Sequence, residues 1–348
     1  MNNALEPAIK YSIGVEYVGS ADGQLNCPKG LAFDRIRGRL YVSDNYNHRV
    51  QVFSSDDGSL IGKLGSLGGD LGQCQRPWNL AIDYDNERIF VSEYANHRVQ
   101  AWSLNDHSPL LTIGHRGSNA LEFLLPRGVA IDEHRRRIII VDTANHRLQV
   151  LSLLDLSFLF SIGGHSQSNR PREFNLPSNV VVDRDRHRII VSDTGNNRVQ
   201  VLSSTDGSFL FEFGCEGKGP GQFFFPYGLC IDNADRIIVS DTNNRRLQAF
   251  THEGQYISSF DCGTPSPAGV AFEHDRGLIA FLAGHRVHVI GANQWLPNTF
   301  VWMPYRHRYA PSSIKQAVET VTMIRSLVHE SALSMVPNEL LFEIFAYL

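Results

Sequence analysis

The sequence predicts an all-β fold: a six-bladed antiparallel β-propeller with a short C-terminal helical tail. Two recurring phrases and one strand pattern carry that expectation. The first phrase is acidic-x-x-Asn-x-Arg-[Val/Leu]-Gln, found at Asp44–Gln51, Glu93–Gln100, Asp142–Gln149, Asp193–Gln200 and Asp241–Gln248. Its arginine steps through Arg49, Arg98, Arg147, Arg198 and Arg246, at spacings of 49, 49, 51 and 48 residues. A period of that size means one supersecondary unit per copy, stacked on its neighbours. The second phrase, Pro-x-[Gly/Asn]-apolar-[Ala/Val/Cys]-apolar-acidic, counts six copies, beginning at Pro28, Pro77, Pro126, Pro177, Pro226 and Pro267.

Within a repeat the elements read in order. In the first copy Leu31–Asp34 is a short apolar run, and the polar turn 35–38 follows it. Leu40–Ser43 is the second run, and Arg49–Phe53 alternates around Gln51. The turn 54–59 contains Asp57-Gly58, a strong hairpin signal, and Leu60–Leu64 completes the set. Four short strands per repeat is the signature of a propeller blade, whereas solenoid repeats of similar length show helical spacings of three and four.

Closure of the ring is also readable. Residues 12–28 align with 61–77 at an offset of 49: Gly19 falls on Gly68, Gly23-Gln24 on Gly72-Gln73, and Pro28 on Pro77. The chain therefore starts on the fourth strand of a repeat. The sixth copy lacks the acidic phrase and keeps only Arg286-Val287-His288-Val289. The N-terminal strand is expected to complete the sixth blade, which removes two sheet edges that would otherwise invite aggregation.

Together the two phrases resemble the NHL repeat family over about residues 11–290, with 291–311 as a connector and 312–348 as a helical tail. The family's Asn-His-Leu is Asn-His-Arg in the first three copies, Asn196-Asn197-Arg198 in the fourth and Asn244-Arg245-Arg246 in the fifth. The resemblance implies a six-bladed propeller. It also implies the roles such propellers play: substrate or RNA readers in tripartite-motif ubiquitin ligases, or secreted, metal-dependent amidating lyases.

Composition narrows the classes. The chain has 348 residues, 42% of them apolar, and a net charge of −4, which offers no general attraction to nucleic acid. No run of 18 apolar residues marks a membrane span, and residues 1–10 lack the charged and apolar regions of a signal peptide. The five cysteines are odd in number and widely spaced, so free thiols in a reducing, cytoplasmic setting are expected. No nucleophile motif, phosphate loop or Cys-x-x-Cys appears, so no catalytic residue, cofactor or metal is expected.

In a propeller the loops entering each first strand share a face with the loops between second and third strands. The entering loops place Lys29, Trp78, Arg127, Ser178, Tyr227 and Ala268 at one equivalent position. The second set carries Tyr46, His48, Tyr94, His97, His146, Asn197 and Arg245. This varied, aromatic and hydrogen-bonding face suits a peptide or a single-stranded nucleic acid, with Trp78, Arg127 and Tyr227 as the central hot spot. The repeated acidic phrase reads as scaffold: the acid caps its own turn, the Asn takes the left-handed conformation, and the Arg pairs with the acid or reaches a neighbouring blade. His48, His97 and His146 sit at equivalent points of successive blades and so do not converge on a metal. The acids Asp34, Asp83, Asp132, Asp183, Asp232 and Glu273 either open turns or ring a cation at the channel mouth. The opposite face balances its arginines with acids, although Arg135–Arg137 could anchor a nucleic acid locally.

In the tail, Ser313-x-x-Gln316 fits a capping box, and Ile314, Ala317, Val318, Val321, Ile324 and Val328 follow at steps of three and four. The last 13 residues, Val336–Leu348, resemble the opening helix of an F-box, with Val336 where that motif has Leu. That likeness implies a Skp-type adaptor docking on Pro337, Leu340, Leu341, Ile344 and Phe345. The alternative is a helix packed on the propeller. The function expected is thus a non-catalytic scaffold for protein or peptide partners, as a substrate receptor of a ubiquitin ligase. An RNA-binding repressor and a metal-dependent propeller lyase are the alternatives.

Overall fold

The computed structural model describes residues 9–164, 166–263 and 266–296. Six four-stranded antiparallel sheets follow one another around a central channel. Blade one pairs Leu31–Asp34, Arg39–Asp44, Arg49–Ser54 and Leu60–Leu64 in chain order from the axis outward. Blades two to five repeat this plan from Pro77, Val129, Asn179 and Pro226. Blade six takes Pro267–Glu273, Leu278–Ala283 and Arg286–Gly291 from the end of the propeller and Ile9–Ile13 from its beginning. The register pairs Tyr11 with Val289 and Ile13 with Val287. The expected closure by the N-terminal strand is what the chain does. The expected offset of 49 holds in chemical detail too: the Gly23 amide donates to Gln51 and the equivalent Gly72 amide to Gln100.

Burial explains why the middle strands are so apolar. Leu40, Tyr41 and Val42 are all fully buried, as are Ile138, Ile140 and Val141, because neighbouring blades cover both faces of each sheet. Alternation survives on outer strands such as Phe209–Phe213, where Leu210 and Glu212 are exposed and the three phenylalanines are half-buried. The Asp57-Gly58 hairpin forms as expected, with Phe53 opposite Leu60 and Asp57 accepting from the Ser59 amide.

Three kinds of polar link recur between neighbouring blades. Ser43 Oγ donates to the Trp78 carbonyl at 2.7 Å, and Ser192 Oγ to that of Tyr227 at 2.7 Å. On the opposite face the arginine that opens the second strand of blades one to four reaches the outer turn of the next blade. Arg39 bonds Leu104 O at 2.9 Å, Arg88 bonds Leu153 O at 2.7 Å, and Arg137 bonds Ser204 O at 3.0 Å. Arg135 likewise donates to Thr205. Two of the three arginines in 135–137 are therefore spent on blade-to-blade bonds, which corrects their reading as a nucleic-acid anchor. The third link, through histidine, belongs to the loop face.

The acids ending each first strand are turn caps. Asp34 accepts from the Ile36 and Arg37 amides, Asp232 from those of Ala234 and Arg236, and Glu273 from those of Asp275 and Arg276. After the last strand of blade six, Ala292–Trp295 forms one helical turn. Trp295 Nε1 donates to Ser258 and Leu296 is buried against blades five and six. The rest of the connector and the tail, including Pro337, Leu340, Leu341, Ile344 and Phe345, lie outside the described residues.

Candidate functional site

The loop face is built on five copies of one buried charge network. Asp142 is fully buried, and its Oδ2 accepts from Asn145 Nδ2 at 2.9 Å, Arg147 Nε at 2.7 Å and Gln149 Nε2 at 3.3 Å. Its Oδ1 accepts from the Leu124 amide at 2.7 Å. Arg147 and Gln149 extend the network to the carbonyl of Glu122, so the phrase clamps the loop that enters its own blade. Asp44, Glu93, Asp193 and Asp241 repeat the arrangement. This confirms the scaffold reading with two corrections. The acid does not cap its own turn but accepts instead from an amide of the entering loop, Asn26 for Asp44 and Leu124 for Asp142. The left-handed residue is the one after the Asn, because the Asn must present Nδ2 to the acid: His48 has φ 56°, His97 55°, His146 54°, Asn197 54° and Arg245 60°. In Glu93 and Asp142 burial still outweighs the cationic and amide partners and raises the carboxyl above its ordinary range.

Those left-handed residues form the third blade-to-blade link. His48 Nδ1 accepts from the Arg76 amide at 3.1 Å, His97 Nδ1 from Leu125 at 3.1 Å, and His146 Nδ1 from Leu176 at 3.1 Å. In blade four Asn197 Oδ1 does the same for Phe225 at 2.8 Å, and in blade six His285 Nδ1 serves Cys27 at 3.2 Å. The three histidines expected among the ligand-facing groups thus commit one ring nitrogen each to the scaffold. The sequence held a clue to this: blade four keeps the position polar with Asn, a residue whose carbonyl also accepts.

An acid-sensitivity prediction follows from these bonds. Only a neutral imidazole accepts through Nδ1. Burial pushes His48, His97 and His146 below the usual imidazole value, aided at His48 by Arg76 and at His97 by Arg116. The folded state then binds fewer protons than the unfolded chain. The stabilisation is complete above the unfolded value near ~6.5 and is lost as pH falls from there through the folded values. Replacing all three with Asn, as blade four does naturally, is expected to keep the melting temperature at pH 7.5 within roughly 2 °C. The variant should lose less stability than the parent on going to pH 5.5. Parallel pH profiles for the two proteins would refute the link.

The centre of the loop face is a cation–aromatic cluster. Trp78 stacks on Tyr94 with ring centroids 4.7 Å apart and meets Tyr227, three blades away, at 6.0 Å. The Arg127 guanidinium lies 4.8 Å from the Trp78 ring, 5.7 Å from Tyr94 and 5.6 Å from Tyr227, and Lys29 Nζ lies 5.5 Å from Trp78. Tyr94 joins because it occupies the position held by Asn45 in blade one and turns inward where Tyr46 turns out. Of the expected loop-face residues, Lys29, Trp78, Tyr94, Arg127 and Tyr227 are therefore brought together over the channel. Their rings pack largely on one another, so the cluster closes the channel head more than it projects from it. Below it runs a cavity of about 320 Å³ lined by the innermost strands.

Tyr46, His48, His97, His146 and Arg245 stand apart from that cluster. Tyr46 is 46% exposed and lies under the Arg76 guanidinium at 5.0 Å, and Arg245 is exposed. The sequence reading missed exposed apolar residues on the same loops, among them Leu176 at 40%, Phe224 at 36% and Phe225 at 43% exposure. Leu176 and Phe225 each precede the repeated proline, the position held by Arg76 in blade two, and comparing those positions across copies would have found them.

Among the described residues no helix is long and apolar enough to cross a membrane, and no cluster of three or more His, Cys, Asp or Glu is placed to hold a metal. No curated protein matches the sequence significantly. Several solved structures share the fold. A structural-genomics protein of unknown function from Bacteroides thetaiotaomicron VPI-5482 superposes with a TM-score of 0.63 at 15% identity, covering 80% of this chain and 73% of the other. A chain of the nidogen/laminin complex gives 0.57 at 16% identity, covering 71% and 84%. Streptogramin B lyase gives 0.56 at 12% identity, covering 80% and 96%. The NHL repeat pattern matches residues 25–53 and 123–151, and a family described as a 6-bladed beta-propeller matches residues 173–265. The chain therefore carries NHL repeats and folds as a six-bladed β-propeller.

Proposed function

We propose that this propeller is a non-catalytic, cytoplasmic recognition scaffold that binds a protein or peptide partner on its loop face. One observation carries the reading: Tyr46, Leu176, Phe224 and Phe225 are large, exposed and apolar, yet the backbone beneath all four is fixed by hydrogen bonds between loops or blades. Rigid aromatic anchors around a cationic centre are what partner-binding surfaces use, because little conformational entropy is lost when they are covered. The finer reading, a substrate receptor that engages ubiquitin-ligase machinery through a Skp-type adaptor, adds the F-box-like segment Val336–Leu348. The lyase alternative draws on the shared fold with streptogramin B lyase, a likeness of architecture alone.

The test is affinity capture with two surface variants. Phe225→Asn suits the left-handed backbone at φ 59°, and Tyr46→Ser removes the second anchor. Each is expected to lower recovery of the same specific protein at least about tenfold, while the melting temperature stays within roughly 2 °C. Recovery of RNA in place of protein, lost on raising the salt, would favour the RNA-reading alternative. Capture that both variants leave unchanged would refute the loop face as the docking surface.

A further inference from the structure

The head of the axial channel gathers buried hydrogen-bond donors that find no well-formed acceptor. Trp78 Nε1, Arg127 Nε and the Tyr227 hydroxyl are buried, and none has a hydrogen-bond acceptor in regular geometry. Trp78 Nε1 and the Tyr227 hydroxyl approach each other closely enough to interact, so these two groups converge on one point. Two cations stand beside them. Arg127 spends only Nη1, on Ser178 Oγ at 2.9 Å, and Lys29 Nζ rests against the Trp78 ring. Among the described residues neither Lys29 nor Arg127 has a carboxylate within 4.0 Å, although nearly every other arginine turned inward on this face is paired with an acid. The cavity of about 320 Å³ opens directly below, with Lys29, Trp78, Ser178 and Tyr227 in its wall.

Buried donors left unmet are costly, and two unpaired cations add a field that favours negative charge. We infer that the channel head is a carboxylate-binding site, in which Trp78, Arg127 and Tyr227 donate to the acid's oxygens and Lys29 supplies the second positive charge. Burial raises the Tyr227 phenol above its ordinary value, which keeps it a donor. Two sources offer that chemistry, a small free acid or an aspartyl side chain on a peptide. The site stands independently of whether Phe225 and Tyr46 hold a partner, since it needs none of their contacts.

Calorimetric titration of the purified full chain tests it, with succinate as one probe and N-acetyl-aspartyl amide as the other. N-acetyl-asparaginyl amide serves as the uncharged control, all at constant ionic strength. Saturable binding of the acids and none of the control is expected. Tyr227→Phe keeps the ring and removes one donor, whereas Trp78→Phe removes the indole N–H together with part of the ring, so each should weaken binding about tenfold, with an unchanged melting temperature in Tyr227→Phe as the cleaner control. A tighter aspartyl probe assigns the site to a peptide, and a tighter succinate assigns it to a free acid. Absence of saturable binding by either acid, or equal affinity in the parent and both variants, overturns the proposal. Loss of protein capture in Phe225→Asn with carboxylate binding retained would separate this site from the docking surface.

Discussion

Asp142→Asn is expected to destabilise the propeller by about 3–5 kcal/mol, the cost of leaving a buried charge without its partner. The change is nearly isosteric, so cavity formation does not enter. It replaces an anion that receives four donors with an amide. Arg147 then keeps a half-buried positive charge with only carbonyl partners, and the new amide group confronts Asn145 Nδ2, Arg147 Nε or Gln149 Nε2, all of them donors. At about 2–4 °C per kcal/mol for a domain of this size, the melting temperature should fall by roughly 10 °C. Adding Arg147→Leu removes the stranded charge and should restore part of the loss, a non-additivity that a purely local packing defect would not show. A single variant that melts within about 2 °C of the parent would mean the network carries little energy.

Deleting residues 1–13 is expected to cost at least as much. The outer strand of blade six would go, and with it the ladder to Arg286–Gly291, the buried Ile13 side chain and the Tyr11 hydroxyl bond to Ser55 O at 2.6 Å. That bond crosses from blade six to blade one, so the deletion opens the seam of the ring as well as trimming a sheet. A loss on the order of 5 kcal/mol is expected, together with self-association through the newly exposed strand edge. A synthetic peptide covering residues 8–16 added in trans should raise the melting temperature again, because it supplies the same ladder. An unchanged melting curve on deletion would show that the seam is held without this strand.

Much of the architecture was legible because it is periodic. Pro28, Pro77 and their equivalents fix the blade count, and Gly19 on Gly68 reveals where the ring closes. The same periodicity hid other features. His48, His97 and His146 look like surface ligands because the sequence does not show that the next blade's amide sits over Nδ1; that partner is 28 to 30 residues away in the chain. The cluster at the channel head was partly legible, since Lys29, Trp78, Arg127 and Tyr227 hold one repeat position. What the sequence could not show is that opposite blades are close enough for Trp78 and Tyr227 to meet, which turns an expected open hot spot into a packed plug. Leu176 and Phe225 escaped notice because an apolar residue before a proline reads as buried until the left-handed backbone turns it outward.

The seam also sets a timetable for biosynthesis. Ile9 pairs with Ile290, so the first strand of the propeller emerges from the ribosome long before the strand it must meet. At ~5–20 residues per second, that interval is on the order of tens of seconds. During it, blades one to five can stack as they appear, while blade six has no complete sheet and the nascent chain carries a free β-edge at each end. Such edges recruit strands from other chains. Folding of this propeller is therefore most exposed to misassembly at the end of translation, and a chaperone that holds the N-terminal segment until residue 290 has left the exit tunnel would act at the step where yield is decided.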